Sequence, residues 1–151
     1  MKAQISVQTA DFDLTGLTQS LASPKGQCGA IVTFTGLVRE LAGSDALTAL
    51  YLEHYPGMTE KALAKIVDEA GQRWPLGAVS LVHRVGELAL NEQIVFVGVS
   101  SAHRADAFAA AEFIMDYLKR DAPFWKKEIS ARGESWVEQK TTDVKAAKRW
   151  Q

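Results

Sequence analysis

Between Glu92 and Pro123 the chain changes its period once, and that change constrains the fold more than any other feature. "EQIVFVGVSS" is crowded with β-branched and aromatic residues and reads as a strand. It runs directly into the longest helix of the chain, from Ala102 to about Asp121, which Ala122-Pro123 terminates because the residue before a proline resists the helical region. The remaining elements are shorter. "AQISVQ" alternates as a strand and is followed by a short helix over Leu14–Leu21; "SPKGQCG" is a turn-rich connector. "AIVTFTG" reads as a strand ended by glycine, and "LVRELAGSDAL" as a mobile loop leading into the strand "LTALYLEHY". Pro56-Gly57 stops that strand. Thr59 is expected to cap a helix with the apolar stripe Leu63, Ile66, Val67 and Ala70, ended at Trp74-Pro75. "AVSLVHRVG" adds a strand, with a polar loop around Asn91-Glu92 after it; "SWVEQK" reads as a late strand and "VKAAKRW" as a terminal helix. This order predicts one domain over residues 1–151, of α+β or α/β class, with a mixed, largely antiparallel sheet and one long helix near 102–121.

The stretch "YLKRDAPFWKKE" places Lys119, Arg120, Lys126 and Lys127 around the break Ala122-Pro123-Phe124-Trp125. A global basic field does not explain this crowding, because 17 Lys and Arg stand against 18 Asp and Glu. That balance gives general nucleic-acid binding little electrostatic support, and a single-strand RNA module would need a basic stripe with aromatics. Cys28 is the only cysteine, so neither an intrachain disulfide nor a multi-thiolate metal site can form within one chain. His54, His83 and His103 lack the i, i+4 spacing of a helical zinc site. No apolar run approaches the ~20 residues that span a bilayer, and the N-terminus has no signal-peptide pattern, so the expected location is the cytoplasm. The basic cluster must be explained locally, either as a solvated helix end or as a pocket that holds an anion and uses a lysine chemically.

His103 and Arg104 fall in the first turn of the long helix, where cations oppose the dipole but free N–H groups favour an anion. Lys119 projects onto the stripe of Phe108, Glu112 and Met115; Phe108 and Met115 read as a core-like face, which predicts a lysine emerging from a partly apolar surface. Desolvation there lowers a lysine pKa, and Glu112 one turn back acts against it. Fifteen residues separate Arg104 from Lys119. A straight helix then holds their backbones about 22 Å apart. Both can serve one site only across two subunits or on a large partner. Arg39 follows the "FTG" strand end, a sound place for a binding residue. Glu53-His54 reads either as an acid–base pair or as a strand-end pair with structural hydrogen bonds. His83-Arg84 is expected to face solvent or a partner, and Cys28 to act as a small buried hydrophobe.

Taken in order, "GAIVTFTGLVR", "LEHYPGMTEKALAKIVDEA", "HRVGEL", "IVFVGVSSAHRADAF" and "FIMDYLKRDAPFWKKE" resemble the family of large, catalytic subunits of molybdopterin synthase, from about Gly29 to Trp150. The resemblance implies an α/β hammerhead fold, a central homodimer, and a small ubiquitin-like sulfur-carrier subunit on each large subunit, giving a heterotetramer. It implies that the carrier's C-terminal Gly-Gly tail brings a thiocarboxylate to the site, where two sulfurs pass in turn to cyclic pyranopterin monophosphate, with no metal or other cofactor. Carried onto this sequence, Lys119 and Lys126 are the catalytic lysines, and Arg39, His103 and Arg104 meet the substrate phosphate. Leu37 and Val38 beside Arg39, and Lys127 and Glu128 beside Lys126, line the same binding segments. Two positions depart from the pattern. Leu37 stands where the family is often basic, and Lys140 stands where an arginine is expected to reach across from the other subunit, keeping the charge without the bidentate fork. A non-catalytic scaffold for a ubiquitin-like partner is the alternative; two converging amines favour the enzyme.

Overall fold

The structure is a computed structural model that describes residues 1–40, 47–137 and 141–151. Its elements are β1 (Lys2–Gln8), α1 (Leu14–Gln19), β2 (Ala30–Leu37), β3 (Leu47–His54), α2 (Met58–Arg73) and β4 (Leu76–Arg84). They continue with β5 (Gly86–Ala89), β6 (Gln93–Ser101), α3 (Arg104–Asp121), β7 (Phe124–Ser130), β8 (Gly133–Val137) and α4 (Thr141–Lys148). Most of the expected loop after β2, and the end of the expected strand "SWVEQK", lie outside the described residues.

The strands form two four-stranded sheets rather than one, ordered β1-β4-β6-β2 and β5-β3-β7-β8. Among the described residues only the β1–β4 pair is parallel and the other pairs are antiparallel, so the expected mixed and largely antiparallel pattern holds. Central β4 is buried on both faces from Ala78 to Arg84, and β6 likewise from Ile94 to Ser101. One core joins the two sheets, with Leu50, Leu52 and Leu88 of the second packed in the same cluster as Val79, Leu81 and Val97 of the first. Removing each such side chain from water contributes roughly 1.5–3 kcal/mol.

Helix α3 packs on β6 and β2 through a small-residue stripe, Ala107, Ala110 and Ala111, continued by Ile114 and Leu118. Phe108 is not on that stripe. It is 61% exposed, which corrects the expectation that it belongs to a core-like face. Phe113 points the other way, between α2 and α4. Its ring meets Trp74 at 5.5 Å and Trp150 at 5.6 Å, both edge-on. Asp116 accepts from Trp150 Nε1 at 2.7 Å and from Arg149 at 2.9 Å, tying α4 to α3, and Arg149 also takes up Glu112. Glu112 is therefore engaged away from Lys119. At α2 the N-cap is Gly57, whose N–H donates to Glu60 Oε2 at 2.6 Å. Thr59, expected as the cap, is instead the second residue of the helix, buried, its hydroxyl exchanging hydrogen bonds with the Tyr55 backbone.

Candidate active site

The site is built by the stop signal of α3. Its last residues carry Lys119 and Arg120, cations that suit the negative end of the helix dipole. Ala122 leaves the helix in an extended conformation (φ −70°, ψ 132°), and Phe124 N–H donates to Ala122 O at 2.9 Å as the chain turns past Pro123. The following residues form β7, a strand absent from the elements that the sequence pattern predicts. Along β7 the side chains alternate, so Phe124, Lys126 and Glu128 share one face and Trp125 and Lys127 the other. In the ladder with β3, Lys126 sits opposite Leu52 and Glu128 opposite Leu50, whose side chains are buried.

That inner face opens on a cavity of about 950 Å³. Lys119 from α3 and Lys126 and Glu128 from β7 line it together with Arg39 and Leu37, which follow from β2. Phe34, Met115, Phe124 and Leu118 supply apolar walls, and Asp143 of α4 closes one side. Lys119 and Arg39 are exposed at the rim, while Lys126 and Glu128 are half-buried. Arg120 lines the cavity too, with its guanidinium on Asp121 (2.5 and 2.8 Å) and over the Tyr117 ring at 4.4 Å.

Other expected residues lie elsewhere. Val38 is buried and does not line the cavity; its N–H donates to Glu92 O and its carbonyl accepts from Asn91 N–H, which pins the chain just before Arg39. Lys127 projects from the outer face of β7, 3.0 Å from Glu134 and over the rings of Tyr51 and Trp136. His103 is the N-cap of α3 and Arg104 its first residue; both are exposed, with Asp106 in the same turn, and neither lines the cavity of this chain. Lys140 lies outside the described residues.

His83 corrects the sequence reading most sharply. It does not face solvent: only 5% of it is exposed, and it lies on the cavity floor. Its ring stacks on Phe124 with centroids 3.9 Å apart and planes 18° apart. Nδ1 lies 2.8 Å from Arg84 O, and since a carbonyl oxygen only accepts, Nδ1 carries the proton and Nε2 a lone pair. Burial pushes the imidazole pKa down to about 4, and the charges of Lys119, Lys126 and His54 push it the same way. Arg84 is also buried, its guanidinium donating to Thr9 O and Gln93 O as a brace between β1 and β6. The other candidate pair resolves differently. His54 stands opposite Phe124 in the β3–β7 ladder, and its Nδ1 is 3.9 Å from Glu60 Oε1, too far for a hydrogen bond.

Residues 7–121 match the sequence profile of the family described as MoaE protein. The chain belongs to the MoaE protein family. Its similarity to individual members extends through the cavity-forming segments. The molybdopterin synthase catalytic subunit of Escherichia coli K12 is 63% identical over 122 residues, 81% of each chain. The protein of the same name from Vibrio cholerae is 51% identical over 151 residues and covers both chains completely. Among solved structures, the molybdopterin biosynthesis MoaE protein of Burkholderia ambifaria superposes with a TM-score of 0.84 at 52% identity, covering 98% of this chain and 97% of that one. The MoaE fold therefore accounts for both sheets and for the helix that delivers Lys119. Phe34, His83, Phe124 and Asp143 are cavity residues that sequence reasoning missed, and only the proximity of Phe124 to the lysine cluster hinted at one of them.

Proposed function

We propose that this MoaE-family chain is the catalytic subunit of a molybdopterin synthase. It transfers sulfur from the thiocarboxylated C-terminus of a small ubiquitin-like carrier to cyclic pyranopterin monophosphate, forming the dithiolene of molybdopterin. The observation that carries this reading is the meeting of Lys119 and Lys126, one from a helix end and one from the next strand, in a single cavity with Arg39. A thiocarboxylate is an anion, and an ammonium group beside it neutralises that charge. The same group stabilises charge developing as sulfur attacks the pterin side chain, and supplies a proton to the departing oxygen. Arg39 offers a planar fork to the cyclic phosphate. Leu37 gives apolar contact at the rim, Glu128 continues the lysine face, and Val38 and Lys127 hold the two binding segments from behind.

His103 and Arg104 serve the cavity of a second copy. Along α3 they stand about 22 Å from Lys119, too far to share a small substrate within one chain. A homodimer with antiparallel α3 helices pairs one chain's helix start with the other's helix end. Exposed Phe34 on outer strand β2, with exposed Phe108 on α3, supports a contact there. One carrier on each large subunit completes a heterotetramer. No helix of the described residues is long and apolar enough to cross a membrane, and the reaction is assigned to the cytoplasm. The test is reconstitution with thiocarboxylated carrier and cyclic pyranopterin monophosphate, reading dithiolene product. Product formation that depends on this chain supports the enzyme; carrier binding without product leaves the non-catalytic scaffold.

A further inference from the structure

Two lysines facing one cavity need their backbones held in register; the β7 lysine is laddered to Leu52 of β3 and Val137 of β8, and its strand begins directly after the turn at Pro123. Phe124, the first residue of β7, shares its face with Lys126 two residues on, so a hold on the Phe124 ring acts on the strand face that carries Lys126. His83 is the residue on that ring. It belongs to β4 of the other sheet, paired with Val7 of β1 and Val95 of β6, and so stands on a buried strand laddered on both sides. Its Nδ1–H bond to Arg84 O sets the plane of the imidazole, and the stack at 3.9 Å passes that plane to Phe124.

We propose that His83 is a positioning residue for sulfur transfer: its imidazole, clamped by the Arg84 carbonyl and stacked on Phe124, sets the start of β7 so that Lys126 faces Lys119 across the cavity. This rests on the molybdopterin synthase reading given above. The groups that face His83 are Lys119 of α3, Lys126 of β7 and His54 of β3. Among two amines an imidazolium would be a third positive charge, whereas the neutral ring is a flat platform. Burial keeps the ring neutral at physiological pH, so it adds no third positive charge there. A phenyl ring should therefore replace it, and an aliphatic side chain should not.

The experiment compares His83→Phe and His83→Ala with the wild-type chain, each assembled with its carrier. His83→Leu, which fills the volume without a flat ring, stands in for His83→Ala should that variant not fold by circular dichroism. Two readouts are taken: kcat with KM for dithiolene formation, and the ε-carbon NMR signal of Lys126, assigned by its loss in Lys126→Ala. The expected result is a kcat about 10- to 100-fold lower in His83→Ala, the scale of a misplacement near 1 Å, with KM little changed. The Lys126 signal should move in the same variant, and His83→Phe, which keeps the stack without the clamp, should restore most of both. A Lys126 signal unmoved by His83→Ala overturns the proposal. So does a His83→Phe kcat as low as that of His83→Ala with the Lys126 signal back at its wild-type position, which would mean that a ring nitrogen takes part in the chemistry. If the wild-type complex makes no dithiolene, the functional reading fails, and the NMR comparison still decides the positioning.

Discussion

Neutral, buried His83 should make the fold sensitive to acid in a way that one substitution removes. Its pKa in the folded chain is about 4, against 6.5 when unperturbed, because burial disfavours the charged ring. As pH falls, the unfolded chain binds this proton first. The stabilisation is therefore complete above about pH 6.5 and is lost progressively between about 6.5 and 4. At ~1.4 kcal/mol per pKa unit the gap amounts to about 3 kcal/mol, of which about 2 kcal/mol is gone by about pH 5. His83→Phe keeps a ring against Phe124 but has no proton to bind. Urea unfolding of both proteins at about pH 7.5 and about pH 5 gives a difference of differences in which the surface carboxylates cancel. The lost hydrogen bond to Arg84 O is the same at both pH values and cancels as well. The wild-type chain should lose about 2 kcal/mol more than His83→Phe over that interval. Equal losses in the two proteins would refute the argument that His83 is held neutral in the fold.

Lys119→Ala should leave folding and carrier binding nearly intact, by circular dichroism and calorimetry, while removing most dithiolene formation; unchanged turnover would eliminate the assignment. Arg104→Ala and Arg39→Ala should each weaken binding of the phosphate-bearing precursor more than binding of the carrier, by about 1.5–3 kcal/mol for one charge-assisted hydrogen bond. Equal precursor affinity by calorimetry would remove that residue from the phosphate site. Mixing inactive Arg104→Ala chains with inactive Lys119→Ala chains should restore activity, since a mixed dimer holds one intact shared site. No return of activity after exchange confirmed by mass spectrometry would place both residues in one chain's site.

The long helix and the strand before it were legible because each has one clear period and a proline stop. Strand β7 was not, for a reason that bears on function. Its inward face carries Lys126 and Glu128, so the usual alternation of apolar inside and polar outside is broken where the inside is a cavity rather than the core. His83 was misplaced by the opposite effect. Strand β4 is covered on both faces, so alternation in "AVSLVHRVG" does not say which side chains meet solvent. Phe108 was assigned to a core face from its spacing to Met115, yet the sheet is met by the alanine stripe one position away. The separation of His103 and Arg104 from Lys119 needed only the helix rise, and the described cavity contains the lysine without the other two. The chemical roles of Lys119 and Lys126 came from the family resemblance; spacing alone had left a solvated helix end equally open.

The central claim is that this chain moves sulfur from a carrier's thiocarboxylate to a pterin through a site containing Lys119 and Lys126. The most direct measurement is a single-turnover reaction in which the carrier's thiocarboxylate bears heavy-isotope sulfur and the dithiolene product is weighed by mass spectrometry. The account predicts that both dithiolene sulfurs carry the label when the wild-type chain is present, and that Lys119→Ala, with carrier still bound, yields almost none. Unlabelled product, or labelled product formed equally well by Lys119→Ala, would contradict it.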